Sequence, residues 1–379
     1  MDAITIDRAA ALTPSLLDSL ETLVCCESPT EDLAACARMA NVAAAVVTQW
    51  LGSPARVEEH EGRPVVRWGP AQPRYLLLGH LDTVWPIGTL ARIPWAVTGD
   101  RITGPGVFDM KAGIVQALAA LSLTSARECG LLLTTDEETG SHASRAVIAD
   151  AITHATAVLV FEPSADGALK TERKGTSWYR VSFEGRAAHA GLDPHRGINA
   201  TVEAAALILA TTEWGDGEQG TTVTPTLLSA GTTANTVPAL AQLTLDVRAW
   251  SEPEQVRIDE QMRGWSVRHP EALMHIDGGI DRPAMEATSS KALFDAAAQC
   301  AVDLGLPALA SCSVGGASDG NLTAAAGVPT LDGLGAVGDG AHADHEWASV
   351  SALHERAALV AALLNHLDAT TNIDEGVPS

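Results

Sequence analysis

The stretch RYLLLGHLDTVWPIGTL, residues 74–90, decides the fold. Four apolar residues, Tyr75 to Leu78, run into Gly79 and then abruptly into His80 and Asp82. A short, unbroken apolar run is the pattern of a strand buried on both faces, and polar groups at its downstream end are where parallel sheets present ligands. His80 and Asp82 are two apart, so on a strand both leave the same face. Working outward, the same pattern recurs: GLLLTTD leads into Glu137 and Glu138, AVLVF into Glu162, and the Gly-rich run ending in GDGA into His342. Elements between these runs read as helices, DMKAGIVQALAALSL with a stripe at Ile114, Ala117, Leu118 and Leu121, and another near Ser144 to Ile152. Strand, helix, strand in succession means an α/β layer with a mostly parallel sheet.

From about Lys174 the period changes. Tyr179, Val181 and Phe183 alternate with Arg180, Ser182 and Glu184, which is a strand with one wet face. Helical spacing at Ile198, Val202, Ala205 and Leu209 follows, then TVTPTLLSA, the alternating Leu243, Leu245 and Val247, the helix of EPEQVRIDEQMRGW, and ALMHIDGG. That order is βαββαβ, a ferredoxin-like α+β unit inserted into the larger layer. The expected boundaries are 1–174 and 284–379 for a catalytic domain in two parts, with 175–283 as the insertion.

Composition narrows the class. At 379 residues the chain is long enough for more than one core, and 46% apolar with 19% charged residues is globular. A net charge of -23 with no basic run excludes a nucleic-acid partner from the expectations. No apolar stretch reaches the ~18 residues a membrane helix needs, and the acidic start lacks a signal-peptide pattern. Six cysteines without CxxC spacing suit reduced thiols, so the expected location is cytoplasmic.

Each polar cluster taken singly has an ordinary reading. An HxD pair is commonly a turn, GPGVFDMKAG can be a turn with Asp109 capping a helix, and DEE can be a solvated acidic bend. Their shared position after strands favours a metal site, with one of Glu137 and Glu138 able to ligate while the other stays available as a base.

In order along the chain, GHLDTVWPIGTL, GPGVFDMKAG, TTDEETGS, FEPS, GRAAHAG, ANTVPA and GAHADHEW resemble the M20 metallopeptidases, and most of all the glutamate carboxypeptidase branch. The resemblance implies two zinc ions, with manganese or cobalt as alternatives, bridged by Asp109. His80 and Glu162 would complete one ion's ligands, and Glu138 and His342 the other's. It implies Glu137 as the general base, Asp82 as the group orienting His80, and His342 rather than His345 as ligand, because the family's histidine stands four residues before a glutamate, here Glu346. It implies further that His189 stabilises the oxyanion, that Arg282 grips a substrate carboxylate, and that Asn235, Gly315, Gly316 and Ser318 line the substrate site. The inserted domain would serve as a lid and homodimer interface. The implied reaction is cleavage of an amide bond beside a free carboxylate, releasing glutamate or a similar amino acid. An N-acyl-amino-acid deacylase of the acetylornithine or succinyl-diaminopimelate type shares every catalytic residue, and a catalytically silent peptide-binding protein remains a third reading.

Overall fold

The computed structural model describes residues 4–374. They fall into two compact units: one comprises 4–172, 287–313 and 318–374, the other 173–286 with 314–317.

The first unit is built on a six-stranded sheet in the order Arg56–His60, Arg63–Trp68, Cys129–Thr134, Tyr75–His80, Ala157–Val160, Thr330–Leu331. The last four strands are mutually parallel, and the two at the opposite edge form an antiparallel hairpin. Tyr75 to Leu78 are buried on both faces, as their unbroken apolar run requires. The helix Ala112–Leu123 is buried from Ala112 through Leu121. The expected single stripe is therefore too narrow a description: the helix packs against the long C-terminal helix Val350–Asp374 and the helices Thr13–Cys25 and Leu33–Leu51, which together leave it no wet face. Its alanines are what let so many helices approach. Gly113 lets the helix approach the sheet closely, since a Cβ there would stand 2.2 Å from the carbonyl oxygen of Phe161. That contact seats the helix directly against the segment that carries Glu162.

A separate four-stranded sheet, Gly338–Asp339, Trp347–Ser349, Arg101–Thr103, Ala96–Thr98, also belongs to this unit. Pairing of Trp347 with Thr103 brings the His342 to Glu346 segment beside the turn that holds Asp109, although the two are far apart in sequence.

The second unit is the βαββαβ element order: strand Gly175–Glu184, helix Ala200–Thr211, strands Thr222–Ala230 and Leu240–Ala249, helix Glu252–Arg263, strand Leu273–Arg282. All its strand pairs are antiparallel, in the order Thr222–Ala230, Leu240–Ala249, Gly175–Glu184, Leu273–Arg282. Tyr179, Val181 and Phe183 join Leu243, Leu245 and Val247 in its core, with Leu207 and Ile258 from the two helices. Pro225 interrupts the register of Thr222–Ala230, which proline can do because this is an edge strand. Among the described residues, no helix is long and apolar enough to cross a membrane.

Candidate metal centre

Three neighbouring parallel strands end at one level of the first unit. His80 closes Tyr75–His80, Thr134 leads through Thr135 and Asp136 to Glu137 and Glu138, and Val160 leads to Glu162. The carboxyl edge of a parallel sheet is where such groups converge. Glu137 and Glu138 do not sit on the strand itself, as alternation along it would suggest, but in the one-turn helix Glu137–Thr139 beyond it.

Asp109 stands at the centre. Its Oδ1 is 3.2 Å from Nε2 of His80, and its Oδ2 is 3.3 Å from Nε2 of His342. His80 Nε2 also lies 3.5 Å from Glu162 Oε1, and His342 Nε2 lies 3.2 Å from Glu138 Oε2. Two sets of three donors thus share one carboxylate. Ligand atoms ~2.0–2.1 Å from one zinc at tetrahedral angles stand about 3.4 Å apart, so these spacings match those of donors around a metal ion. The donor set fits a pair of divalent ions. Glu137 has an oxygen within 4.8 Å of His80 and Glu162 donor atoms, so it borders the same centre. His345 is exposed and outside these groups; its carbonyl accepts from Arg101.

Electrostatics point the same way. Burial opposes a charged His80, yet hydrogen bonds to Asp109, Asp82 and Glu162 hold its pKa well above the ordinary value. For His342, bonds to Asp109 and Glu138 raise the pKa to about 10. Burial opposes ionisation of Asp109 too, but His342 and His80 outweigh it and keep its carboxyl below the usual range. Glu138 is pushed upward by burial, with the Asp109 charge adding to it. A cluster so rich in carboxylates demands positive charge, from protons or from metal ions.

Two buried carboxylates hold this arrangement together. Asp82 accepts from Thr30 Oγ1 at 2.8 Å and from the main-chain N–H groups of Glu137 and Glu138 at 3.3 and 3.2 Å. Its own carbonyl oxygen accepts from His80 Nδ1 at 3.0 Å, while its carboxylate oxygen is 3.5 Å away from that nitrogen. With Nδ1 donating, the lone pair of Nε2 faces the centre. The contact between His80 and Asp82 thus runs chiefly through the Asp82 backbone. The second carboxylate, Glu346, was legible only as a spacing marker. It is fully buried, and its two oxygens accept from Trp85 Nε1 and Gly106 N, each at 2.9 Å, and from Phe108 N at 2.9 Å and Asp109 N at 3.1 Å. Glu346 therefore sets the turn that aims Asp109. Gly106 in that turn has φ 72°, and a Cβ would stand 2.6 Å from Thr83 Cγ2. His342 itself takes φ 61°, a left-handed conformation uncommon outside glycine. Asp109 is not a helix cap; the following helix begins at Ala112.

The remaining candidates divide between the units. Ser318, in the first, is buried; its hydroxyl donates to Asp332 at 2.6 Å and accepts from Gly320 N, capping the helix Asp319–Ala325. His189, Asn235, Arg282, Gly315 and Gly316 belong to the second. The His189 ring is exposed at a tight turn, and its Nδ1 accepts from Gly191 N and Leu192 N, both at 3.1 Å. That fixes the proton of the neutral ring on Nε2. Ala190 N donates to the carbonyl of Asn235 at 2.8 Å, and His189 pairs with Thr236, so these two candidates share one corner. Arg282 ends its strand, buried, with its carbonyl accepting from Gln255 Nε2. Gly315 and Gly316 are exposed, and the Gly316 carbonyl accepts from Arg173 Nη1. Arg248 is paired with Asp246 through both Nε and Nη2 at 2.9 Å, a structural role.

Donor groups able to hold metal, with a further carboxylate beside them at the edge of a parallel sheet, suit a metal-dependent hydrolase. The chain belongs to peptidase family M20/M25/M40, whose pattern matches residues 76–366, and it is a hydrolytic enzyme of the M20 metallo-carboxypeptidase type. It is 32% identical to carboxypeptidase G2 of Pseudomonas sp. (strain RS-16), over 97% of this chain and 93% of that one. Its fold is similar to that of the aminopeptidase PepT from Bacillus cereus, at TM-score 0.72 and 20% identity, covering 96% of this chain and 99% of that one. A dinuclear metal-binding peptidase of the M20 family from Bacillus subtilis is similar at TM-score 0.65 and 15% identity, covering 95% and 99%.

Proposed function

We propose that this enzyme is a dinuclear zinc carboxypeptidase that hydrolyses the amide bond next to a free carboxylate, with glutamate or a similar amino acid as the released residue. The observation that carries the reading is Asp109, whose two oxygens each face a histidine backed by a further carboxylate. His80, Asp109 and Glu162 would hold one ion, and Asp109, Glu138 and His342 the other. Bound there, the ions supply polarisation of the scissile carbonyl and a lowered pKa for the attacking water.

The protein's own groups do the rest. Glu137 takes the water's proton and passes it to the departing amine nitrogen. Asp82 keeps His80 in the Nδ1–H tautomer. His189 donates its Nε2–H to the oxyanion, a role supported by the two main-chain donors that fix this tautomer. Arg282 pairs with the substrate carboxylate, for which a planar guanidinium is suited. Asn235, which shares the His189 corner, the exposed backbone of Gly315 and Gly316, and Ser318, which caps the helix that follows, are the remaining substrate-binding candidates in this reading.

The 175–283 domain serves in this reading as a lid and as a homodimer interface. Exposed Leu227 and Leu228 on its edge strand, with Val202 and Leu209 on its first helix, support that assignment, since unpaired edges and apolar patches mark contact surfaces. A cytosolic location is supported by six cysteines that are all free.

The test is amino-acid release from a panel of peptides and N-acyl amino acids. Glutamate-terminated substrates should lead, and amidating the terminal carboxylate should abolish cleavage. Preference for acetylornithine or succinyl-diaminopimelate would make this a deacylase instead.

A further inference from the structure

The helix Val350–Asp374 carries a cation that the catalytic reading does not use. Arg356 is 7% exposed; Nη2 donates to the carbonyl of Gly167, and Nη1 has no hydrogen-bond partner. No carboxylate lies within ion-pair distance of it among the described residues. In a chain of net charge -23, with acidic groups in excess, a buried guanidinium with no carboxylate bonded to it, and only the more distant Glu355 charge favouring its ionisation, is unusual. A purely structural Arg, tying the helix to the Ala165 to Ala168 turn, would be expected to use both terminal nitrogens.

Arg356 lines a cavity of about 250 Å3, formed wholly within the first unit. Its walls are largely apolar: Leu306, Pro307, Leu309, Val337 and Leu359. Asp166 and Glu355 also reach the lining, and neither is paired with the guanidinium. Burial drives the Arg356 pKa down to about 10, which leaves it charged at neutral pH.

We infer that this cavity binds a small carboxylate with an apolar body, its carboxylate against Arg356 and its body among the leucines. Apolar walls with one fixed charge are the composition of a small-molecule site. Two sources share that chemistry. A free apolar amino acid would also offer an ammonium group to Asp166 or Glu355, whereas a simple aliphatic acid would not.

Calorimetric titration of the full-length protein with leucine, 4-methylpentanoate and inorganic phosphate tests this, independently of any activity. Saturable binding of at least one of the two carboxylates is expected. Arg356→Met, which keeps the stem and removes the charge, should weaken it on the order of 10- to 100-fold, as loss of a charge-assisted hydrogen bond does. Ala308→Trp, which fills the cavity from its exposed rim, should abolish it, and it keeps the test open if Arg356→Met folds poorly. Tighter leucine identifies an amino-acid site, and tighter 4-methylpentanoate a simple carboxylate site. The inference is overturned if neither carboxylate binds, if binding survives both substitutions, as it would at the metal centre, or if phosphate binds as well as the carboxylates do.

Discussion

The two units fix their chemical groups by different means. In the first, three of the five proposed ligands leave a strand end or a turn tied by a buried carboxylate: Asp82 gathers His80 with the turn that carries Glu138, and Glu346 gathers the Asp109 turn. In the second, His189 is held by two main-chain donors at an exposed turn. The first arrangement orients its donors through the fold's own hydrogen bonds, so it should set metal affinity; the second should affect turnover while leaving metal content alone. Preorganisation by buried acceptors and positioning on an exposed corner should therefore separate experimentally.

The largest effect is expected for Asp109→Ala. Removing the carboxylate shared by both donor sets should strip both ions and reduce hydrolysis to background, read by metal analysis of the dialysed protein beside its turnover. Next comes Glu137→Gln, which should retain metal yet lose at least ~100-fold in kcat, the low end for a positioned proton-transfer group. Loss of metal in this variant would recast Glu137 as a ligand, a role its nearness to His80 and Glu162 permits. His189→Ala should lower kcat on the order of 100-fold, the cost of one oxyanion donor, with metal content unchanged. If metal is lost there, the contrast between the units fails.

Glu346→Gln sharpens the comparison from the other side. One amide oxygen and an NH2 group cannot accept the four donors that Glu346 now satisfies, so the Asp109 turn should loosen. Metal affinity should drop about 10- to 100-fold, as for other groups that orient ligands. Titration with a competing chelator measures it, and wild-type affinity would show that the turn holds Asp109 unaided.

How much of this was legible in the sequence follows from the same physics. Unbroken apolar runs such as Tyr75 to Leu78 can only be strands buried on both faces, so the sheet and the polar groups at its carboxyl edge could be read directly. The alternation through Tyr179, Val181 and Phe183 gave the inserted unit in the same way. Glu346 could not be read that way, because three of its four partners are main-chain N–H groups more than two hundred residues upstream, which carry no side-chain signature. The burial of Ala112 through Leu121 on every face depends on helices that pack from elsewhere in the chain. Arg356 looks from its neighbours like any surface residue of a long helix, and only the packed structure buries it.

A smaller effect concerns protons. In the metal-free protein His342, with its pKa raised to about 10, and His80, raised well above the usual value, are protonated at neutral pH. Ions must displace those protons, so loading zinc into weakly buffered protein should release acid, and apparent metal affinity should fall as the pH is lowered. Absence of proton release would place the ions away from these histidines.

The most direct test of the central claim is the metal content of the wild-type protein, counted by mass spectrometry during stepwise reloading of the stripped enzyme while hydrolysis is followed. Two ions per chain are predicted, with full activity only when both are present. Full activity with a single ion, or with none, would contradict a centre in which Asp109 bridges a pair.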